Sequence, residues 1–150
     1  MKRVILSGYF NPLHGGHLDM IEAARSVGDH LIIIVNNDQQ QLLKKNKIIL
    51  DEKNRLRLMS ALKVVDEALL ALDGDPTVIK TLQHIAEKYP QDEIIFANGG
   101  DRDGKRVVPE TAVCSDLGIE MVFGVGSDKV VKRDSSTRID QAIGHEARNI

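Results

Sequence analysis

The sequence has no tryptophan, one cysteine, four prolines and only 3% aromatic residues. The single thiol, Cys114, cannot form an internal disulfide, which excludes a disulfide-stapled secreted domain and fits a reducing compartment. Long apolar runs are also missing, since stretches such as residues 31–35 are far shorter than the roughly 20 residues that cross a bilayer. No stretch has the pattern of a signal peptide. We therefore expect a cytoplasmic protein with no membrane partner.

An excess of charge of one sign is missing as well. The chain carries 20 basic and 22 acidic residues, and its net charge is -2. This balance gives no overall attraction to nucleic acid. Local basic clusters remain that can attract small phosphates: Lys44, Lys45 and Lys47, and Lys129, Lys132 and Arg133. We expect a small phosphorylated partner and no nucleic acid.

Apolar segments alternate between the patterns typical of strands and of helices. Apolar runs predict strands at about residues 3–7, 31–35, 67–72, 93–98 and 120–123. Helical spacing predicts helices at about residues 16–27, 52–63, 77–89, 109–117 and 135–147. The β-branched run at residues 31–35 is typical of a strand covered on both faces. The alternation predicts one doubly wound α/β domain over residues 1–150, built on a five-stranded parallel sheet.

Three local features refine these boundaries. Gly28 predicts a left-handed cap at the end of the first helix. Asp51 is a candidate N-cap for the helix that begins at Glu52. Residues 39–49 are polar and basic without clear periodicity, and they predict a loop.

Residues 8–17 connect the first predicted strand to the first helix and contain two histidines among glycines. His14 and His17 are three apart, so both can face one ligand at the start of a helix, where free amides suit an anion. Gly15 and Gly16 allow a close backbone approach. Imidazoles can donate hydrogen bonds to a phosphate during phosphoryl or nucleotidyl transfer, and the pattern therefore predicts a phosphate site. The alternative is a histidine helix cap beside a surface histidine, whereas a zinc site lacks further ligands.

The segment from Gly8 to His17 resembles the signature of the cytidylyltransferase-like nucleotidyltransferase superfamily. In that signature a glycine, an aromatic pair and a polar residue precede HxGH, which here reads His-Gly-Gly-His. The resemblance is closest to small bacterial members that act on glycerol 3-phosphate or heptose 1-phosphate, and it extends from Met1 to about Asp66. It implies a Rossmann-like fold, a homodimer, and Mg²⁺ bound through nucleotide phosphates with no protein metal ligand assigned.

The resemblance also implies roles for individual residues. His14, His17 and Lys44 would be catalytic, and Lys44 and Arg55 would contact the acceptor. The remaining set would bind the nucleotide: Gly8, Tyr9, Phe10, Asn11, Gly16, Lys63, Gly99, Gly100, Asp101, Arg102, Ser135, Ser136 and Thr137. Many members have an aspartate at the position of Asn11. The asparagine keeps an oxygen acceptor there but lacks the negative charge.

The resemblance implies transfer of CMP or AMP from CTP or ATP to a small phosphorylated acceptor, with release of pyrophosphate. CTP is slightly favoured by the layout from Met1 to Asp66, while the segment from Asn98 to Asp101 resembles the heptose adenylyltransferase type. A nucleotide-binding regulator with the same fold and no turnover is the alternative function. A dinucleotide-dependent oxidoreductase is disfavoured because the first glycine loop is not G-x-G-x-x-G.

Overall fold

A computed structural model of the chain describes residues 1–99 and 108–126. The elements in chain order are β1 (Lys2–Gly8), α1 (Gly15–Arg25), β2 (His30–Val35), α2 (Asp38–Lys45), α3 (Glu52–Ala61), β3 (Glu67–Leu70), α4 (Ile79–Lys88), β4 (Glu93–Gly99), α5 (Thr111–Leu117) and β5 (Glu120–Val125). The predicted helix at 135–147 lies outside the described residues.

The strands form one parallel sheet in the order β3-β2-β1-β4-β5. The chain first builds outward from β1 through β2 to β3, and then crosses to β4 on the other side of β1. A crevice opens at such a reversal, outside the carboxyl ends of the strands. The predicted α/β fold with five parallel strands is confirmed, and the switch point lies between β1 and β4.

Apolar side chains cover both faces of the sheet. On one face the strands pack against residues of α4 and α5, including Leu82, Ile85 and Cys114. On the other face they pack against residues of α1 and α3, including Ile21 and Met59. Five consecutive residues of β2, from Leu31 to Val35, are fully buried, because side chains alternate between these two cores.

The prediction of a loop at residues 39–49 is wrong for its first part, which forms α2. Its N-terminus has a capping box, in which Asn37 Oδ1 accepts from the Gln40 N–H at 2.9 Å and Gln40 Oε1 accepts from the Asn37 N–H at 2.9 Å. Gln40 and Gln41 form the buried face of the helix. Apolar periodicity could not reveal a helix whose buried side chains are amides, whereas the Asn-x-x-Gln spacing is a capping signal.

The predicted left-handed cap at Gly28 is also wrong. Helix α1 ends at Arg25, its C-cap Ser26 is right-handed, and Gly28 is not among the glycines with positive φ. A Cβ on Gly28 would lie 2.8 Å from the carbonyl oxygen of Lys2 and 2.7 Å from a methyl group of Val4. The glycine therefore allows the turn to pack closely against β1.

The predicted N-cap at Asp51 is confirmed, since its carboxylate accepts from the Asn54 N–H at 2.8 Å.

Candidate active site

A cleft of about 310 Å³ lies at the carboxyl ends of the strands, over the switch point between β1 and β4. Its walls come from the end of β1, the start of α1, α2, the segment before α4, the end of β4 and the residue before α5. The lining residues are Ser7, Gly8, Tyr9, Phe10, Asn11, His17, Met20, Asn36, Gln41, Lys44, Lys45, Pro76, Val78, Ala97, Asn98, Gly99 and Glu110. The topology thus gathers residues that are distant in sequence around one crevice.

The two histidines hold each other in place at the start of α1. His14 Nδ1 accepts from the Gly16 N–H at 3.1 Å, and His17 Nδ1 accepts from the His14 N–H at 3.2 Å. The rings stack with centroids 3.7 Å apart. A ring nitrogen that accepts a hydrogen bond carries no proton, so each neutral imidazole has its proton on Nε2. Both rings are therefore oriented as Nε2–H donors, with His17 lining the cleft.

Phe10 packs its ring against the His17 ring and supports the histidine pair. Its ring is buried, lies edge-on to the His17 ring with centroids 5.2 Å apart, and occupies the space beside Gly8. A Cβ on Gly8 would lie 2.7 Å from the tip of the Phe10 ring. The backbone of Phe10 has φ of 51°, an uncommon conformation for a residue with a side chain. Glycine at position 8 makes room for the ring that backs His17.

Lysine side chains extend from α2 to the cleft. Lys44 Nζ lies 4.3 Å from the centroid of the Tyr9 ring, a cation-π contact that holds the ammonium near the end of β1. Lys45 lines the cleft as well. The capping box that forms α2 therefore positions the cationic groups of this wall.

Asn11 has a structural contact that its sequence context did not reveal. Its side chain is 6% exposed, and Oδ1 accepts from the N–H groups of Ile49 at 3.0 Å and Leu50 at 2.8 Å. These bonds tie the segment between α2 and α3 to the loop after β1. The oxygen acceptor that asparagine shares with aspartate is the atom used.

Arg55 is not among the lining residues of the cleft, and the contact with the acceptor that the resemblance implies for it stays a prediction. Its side chain is 0% exposed. Nε donates to the Leu50 carbonyl at 2.8 Å, Nη1 to the carbonyls of Tyr9 at 2.9 Å and Asn36 at 2.6 Å, and Nη2 to Asp38 Oδ1 at 2.7 Å. The guanidinium thus joins the loops after β1 and β2 to the starts of α2 and α3, and it supports the cleft from within the protein.

Lys63 is also placed away from the cleft. It is exposed in the turn between α3 and β3, which leads into the amino end of the sheet, opposite the crevice. Lys63 is not among the lining residues of the cleft, and the nucleotide contact that the resemblance implies for it stays a prediction. Gly99 and Asn98 do line the cleft. Six further predicted nucleotide-binding residues lie outside the described residues: Gly100, Asp101, Arg102, Ser135, Ser136 and Thr137.

The polar residues of the cleft wall that sequence reasoning missed include Gln41 and Glu110. Gln41 follows the capping residue Gln40 directly, and Glu110 precedes α5 at its N-cap position. Only the capping pattern of α2 offered a signal for Gln41, and no sequence signal distinguishes Glu110 from other acidic residues.

Burial and the Glu110 carboxylate raise the pKa of the Cys114 thiol to about 11, so this cysteine is no nucleophile near neutral pH.

Taken together, these features define a Rossmann-like α/β protein with a paired-histidine helix start at its switch point. The chain belongs to the cytidylyltransferase-like family, whose profile matches residues 5–142. The predicted superfamily is confirmed.

Relatives with curated names include FAD synthases. The FAD synthase of Thermoplasma volcanium is 40% identical over 75 residues, which cover 50% of this chain and 53% of that protein. The FAD synthase of Archaeoglobus profundus is 36% identical over 105 residues, which cover 63% of this chain and 67% of that protein. The chain thus spans about half the length of the first of these relatives.

Solved structures show the same fold. The lipopolysaccharide core biosynthesis protein of Thermoplasma volcanium superposes with a TM-score of 0.61 at 29% identity, over 82% of this chain and 95% of that one. A structure from Vibrio parahaemolyticus whose name assigns it to the nicotinate-nucleotide adenylyltransferases superposes with a TM-score of 0.60 at 19% identity. The match covers 97% of this chain and 88% of that one.

Among the described helices, none is long and apolar enough to span a membrane.

Proposed function

We propose that the protein is a nucleotidyltransferase that transfers AMP from ATP to the phosphate of a small acceptor, with FMN as the first candidate. The observation that carries this proposal is the reciprocal capping of His14 and His17, which leaves the proton of each neutral ring on Nε2, with His17 lining the switch-point cleft and the His14 ring stacked on it. Membership of the cytidylyltransferase-like family supports it. The adenylyl group and FMN follow from the relatives named FAD synthase, since FAD is FMN joined to AMP.

The proposed step is a displacement at the α-phosphorus of ATP. An oxygen of the acceptor phosphate forms a bond to the α-phosphorus, and the bond from that phosphorus to the oxygen of the leaving pyrophosphate breaks. The Nε2–H groups of His14 and His17 and the ammonium of Lys44 would stabilise the negative charge that spreads over the phosphates. Because these groups are held by the helix start and by Tyr9, the protein mainly contributes position and charge.

Magnesium would enter this site already bound to the phosphates of the nucleotide. Within residues 1–99 and 108–126, no group of three or more His, Cys, Asp or Glu side chains could hold a metal ion. Glu110 is the only acidic residue among the described residues of the cleft wall. This donor set fits a metal bound through nucleotide phosphates, where its charge would help neutralise the leaving group.

Release of pyrophosphate with each pairing of nucleotide and acceptor tests the proposal. ATP and CTP would each be offered with FMN, glycerol 3-phosphate and heptose 1-phosphate, in the presence of magnesium. We expect release with ATP and FMN, and formation of FAD in equal amount. If pyrophosphate is released only with CTP and glycerol 3-phosphate, these two compounds replace the proposed substrates. If the nucleotide binds but no acceptor gives pyrophosphate release, the alternative function, a nucleotide-binding regulator without turnover, is favoured.

Two further expectations from the sequence stay predictions. A homodimer is expected from the family resemblance, and sedimentation equilibrium would test it. The cytoplasmic location would be tested by fractionation of the cells that produce the protein.

A further inference from the structure

Two buried oxygen atoms in the cleft wall have no hydrogen-bond partner in the part of the chain that the structure describes. Gln41 is 2% exposed, and its Nε2 donates to the Lys47 carbonyl at 3.0 Å, which leaves Oε1 without a donor. Glu110 is 5% exposed, and its Oε2 accepts from the Val78 N–H at 3.1 Å while Oε1 has no donor. Buried polar atoms are nearly always hydrogen-bonded, so these two oxygens point to a bound donor.

The chemistry of that donor is restricted by the two oxygens. Both are acceptors, and an ionised phosphate also offers only acceptor oxygens, so a phosphate cannot satisfy them. Hydroxyl groups can, and they can do so beside the lysines of the same wall, which suit a phosphate. A ligand that carries both a phosphate and hydroxyl groups fits this combination.

The positions of the two residues favour the acceptor as the source of the hydroxyl groups. Gln41 lies on α2, which follows β2, and is three residues from Lys44 on the same side of the helix. Glu110 is held by Val78, which follows β3 and precedes α4. Gln41 and the Val78 contact of Glu110 thus lie on segments that follow β2 and β3, whereas Gly99 ends β4 on the other side of β1.

We propose that Glu110 and Gln41 accept hydrogen bonds from hydroxyl groups of the acceptor, so that the cleft selects phosphate esters of polyols. This inference rests on the proposed function, because it concerns the acceptor of that reaction. The ribityl phosphate of FMN and glycerol 3-phosphate both belong to this class. A phosphate ester of a plain alkyl chain does not.

The first test measures binding rather than turnover. The Kd of FMN is followed by flavin fluorescence and the Kd of ATP by calorimetry, for the wild type, Glu110→Gln and the control Glu87→Gln. Gln keeps the shape and one oxygen for the Val78 N–H, whereas Glu87 is exposed on α4. We expect Glu110→Gln to raise the Kd of FMN about tenfold, since a charge-assisted bond is lost. The Kd of ATP and both constants of the control should stay unchanged.

The second test removes the hydroxyl groups from the ligand. An FMN analogue with a phosphopentyl chain in place of the phosphoribityl chain should bind the wild type about tenfold more weakly than FMN. In Glu110→Gln this difference should shrink, because the two changes remove the same bond. If thermal unfolding shows that Glu110→Gln does not fold, Gln41→Met provides the same comparison.

Several results would overturn the inference. These are an unchanged Kd of FMN in folded Glu110→Gln, an effect on ATP alone, equal discrimination against the analogue in both proteins, or no binding of FMN or glycerol 3-phosphate to the wild type. Transfer to FMN with unchanged affinity in the variant would reject only this inference. Altered affinity without any pyrophosphate release would reject the proposed function and leave the polyol site standing.

Discussion

The two ends of the sheet use their charged residues differently. At the amino end, charges are paired with each other: Arg3 Nε lies 2.6 Å from Asp92, Arg25 Nε lies 3.3 Å from Asp66, and Lys88 Nζ contacts Glu67. At the carboxyl end, the cleft wall includes Lys44, Lys45 and the buried carboxylate of Glu110, whose Oε1 has no partner among the described residues.

The difference separates residues that stabilise the fold from those that can bind a ligand. At the amino end the Arg3 guanidinium also stacks on Tyr89, 3.6 Å from its ring centroid, and Tyr89 donates to Glu67 at 2.9 Å. One buried atom there, His30 Nδ1, has no partner in the described part of the chain. The carboxyl end instead combines the positive φ of Phe10 with unsatisfied acceptors, features that cost stability and concentrate at functional sites. Arg55 at that end has a structural role, because its guanidinium donates to groups of the protein on all three nitrogens.

Arg55→Leu should have the largest effect. Removal of the buried guanidinium leaves the carbonyls of Tyr9 and Asn36 and the carboxylate of Asp38 without their donor. Breaking such a buried network costs about 3–5 kcal/mol of unfolding free energy. Chemical denaturation should show this loss, and the exposed Arg57→Leu on the same helix should show almost none. Equal stabilities for the two variants would contradict the structural role of Arg55.

His17→Ala should affect activity more than stability. Loss of a preorganised donor lowers transfer by about 10²-fold or more. The lost hydrogen bond to the His14 N–H costs about 1 kcal/mol of unfolding free energy. Pyrophosphate release and thermal unfolding would be measured in parallel, with His84→Ala on the exposed side of α4 as the control. Transfer at the wild-type rate by folded His17→Ala would remove the histidine from the mechanism.

Asp92→Asn should reveal a smaller effect that depends on pH. The Arg3 guanidinium and the N-terminal ammonium hold the pKa of the Asp92 carboxyl below its ordinary value of 3.8. A lowered pKa in the folded state adds stability above the unfolded pKa, and this stability is lost as pH falls through the folded pKa. The stability difference between wild type and variant should therefore be present at neutral pH and vanish as the pH falls through the lowered pKa of the Asp92 carboxyl. A difference that persists into stronger acid would contradict the ion pair.

Lys63→Ala should have the smallest effect of all. The residue is exposed near the amino end of the sheet, so neither the KM for the nucleotide nor the stability should change measurably. Lys44→Ala provides the contrast, since its ammonium lies at the cleft and its loss should raise the KM of the phosphorylated substrates. A rise in KM for Lys63→Ala would show that this lysine reaches a nucleotide after all.

Much of the fold was predictable because its signals are local. The buried run of β2 and the N-cap at Asp51 each depend on a few neighbouring residues. Helix α2 was missed because its buried face is made of Gln40 and Gln41, whose amides find partners in distant loops. Those partners follow β3 or lie beyond the helix, and a local pattern does not contain them.

The sequence by itself determined the family and the paired histidines, because a strand, a glycine turn and a helix start are contiguous and carry their chemistry in ten residues. Only the tertiary structure decided which basic residues reach the cleft. All three candidates are basic residues. Lys44 lines the cleft, Arg55 is buried beneath it, and Lys63 lies beyond the end of α3. Their roles differ because burial and access to a ligand depend on strand order, which only the packing of distant segments establishes.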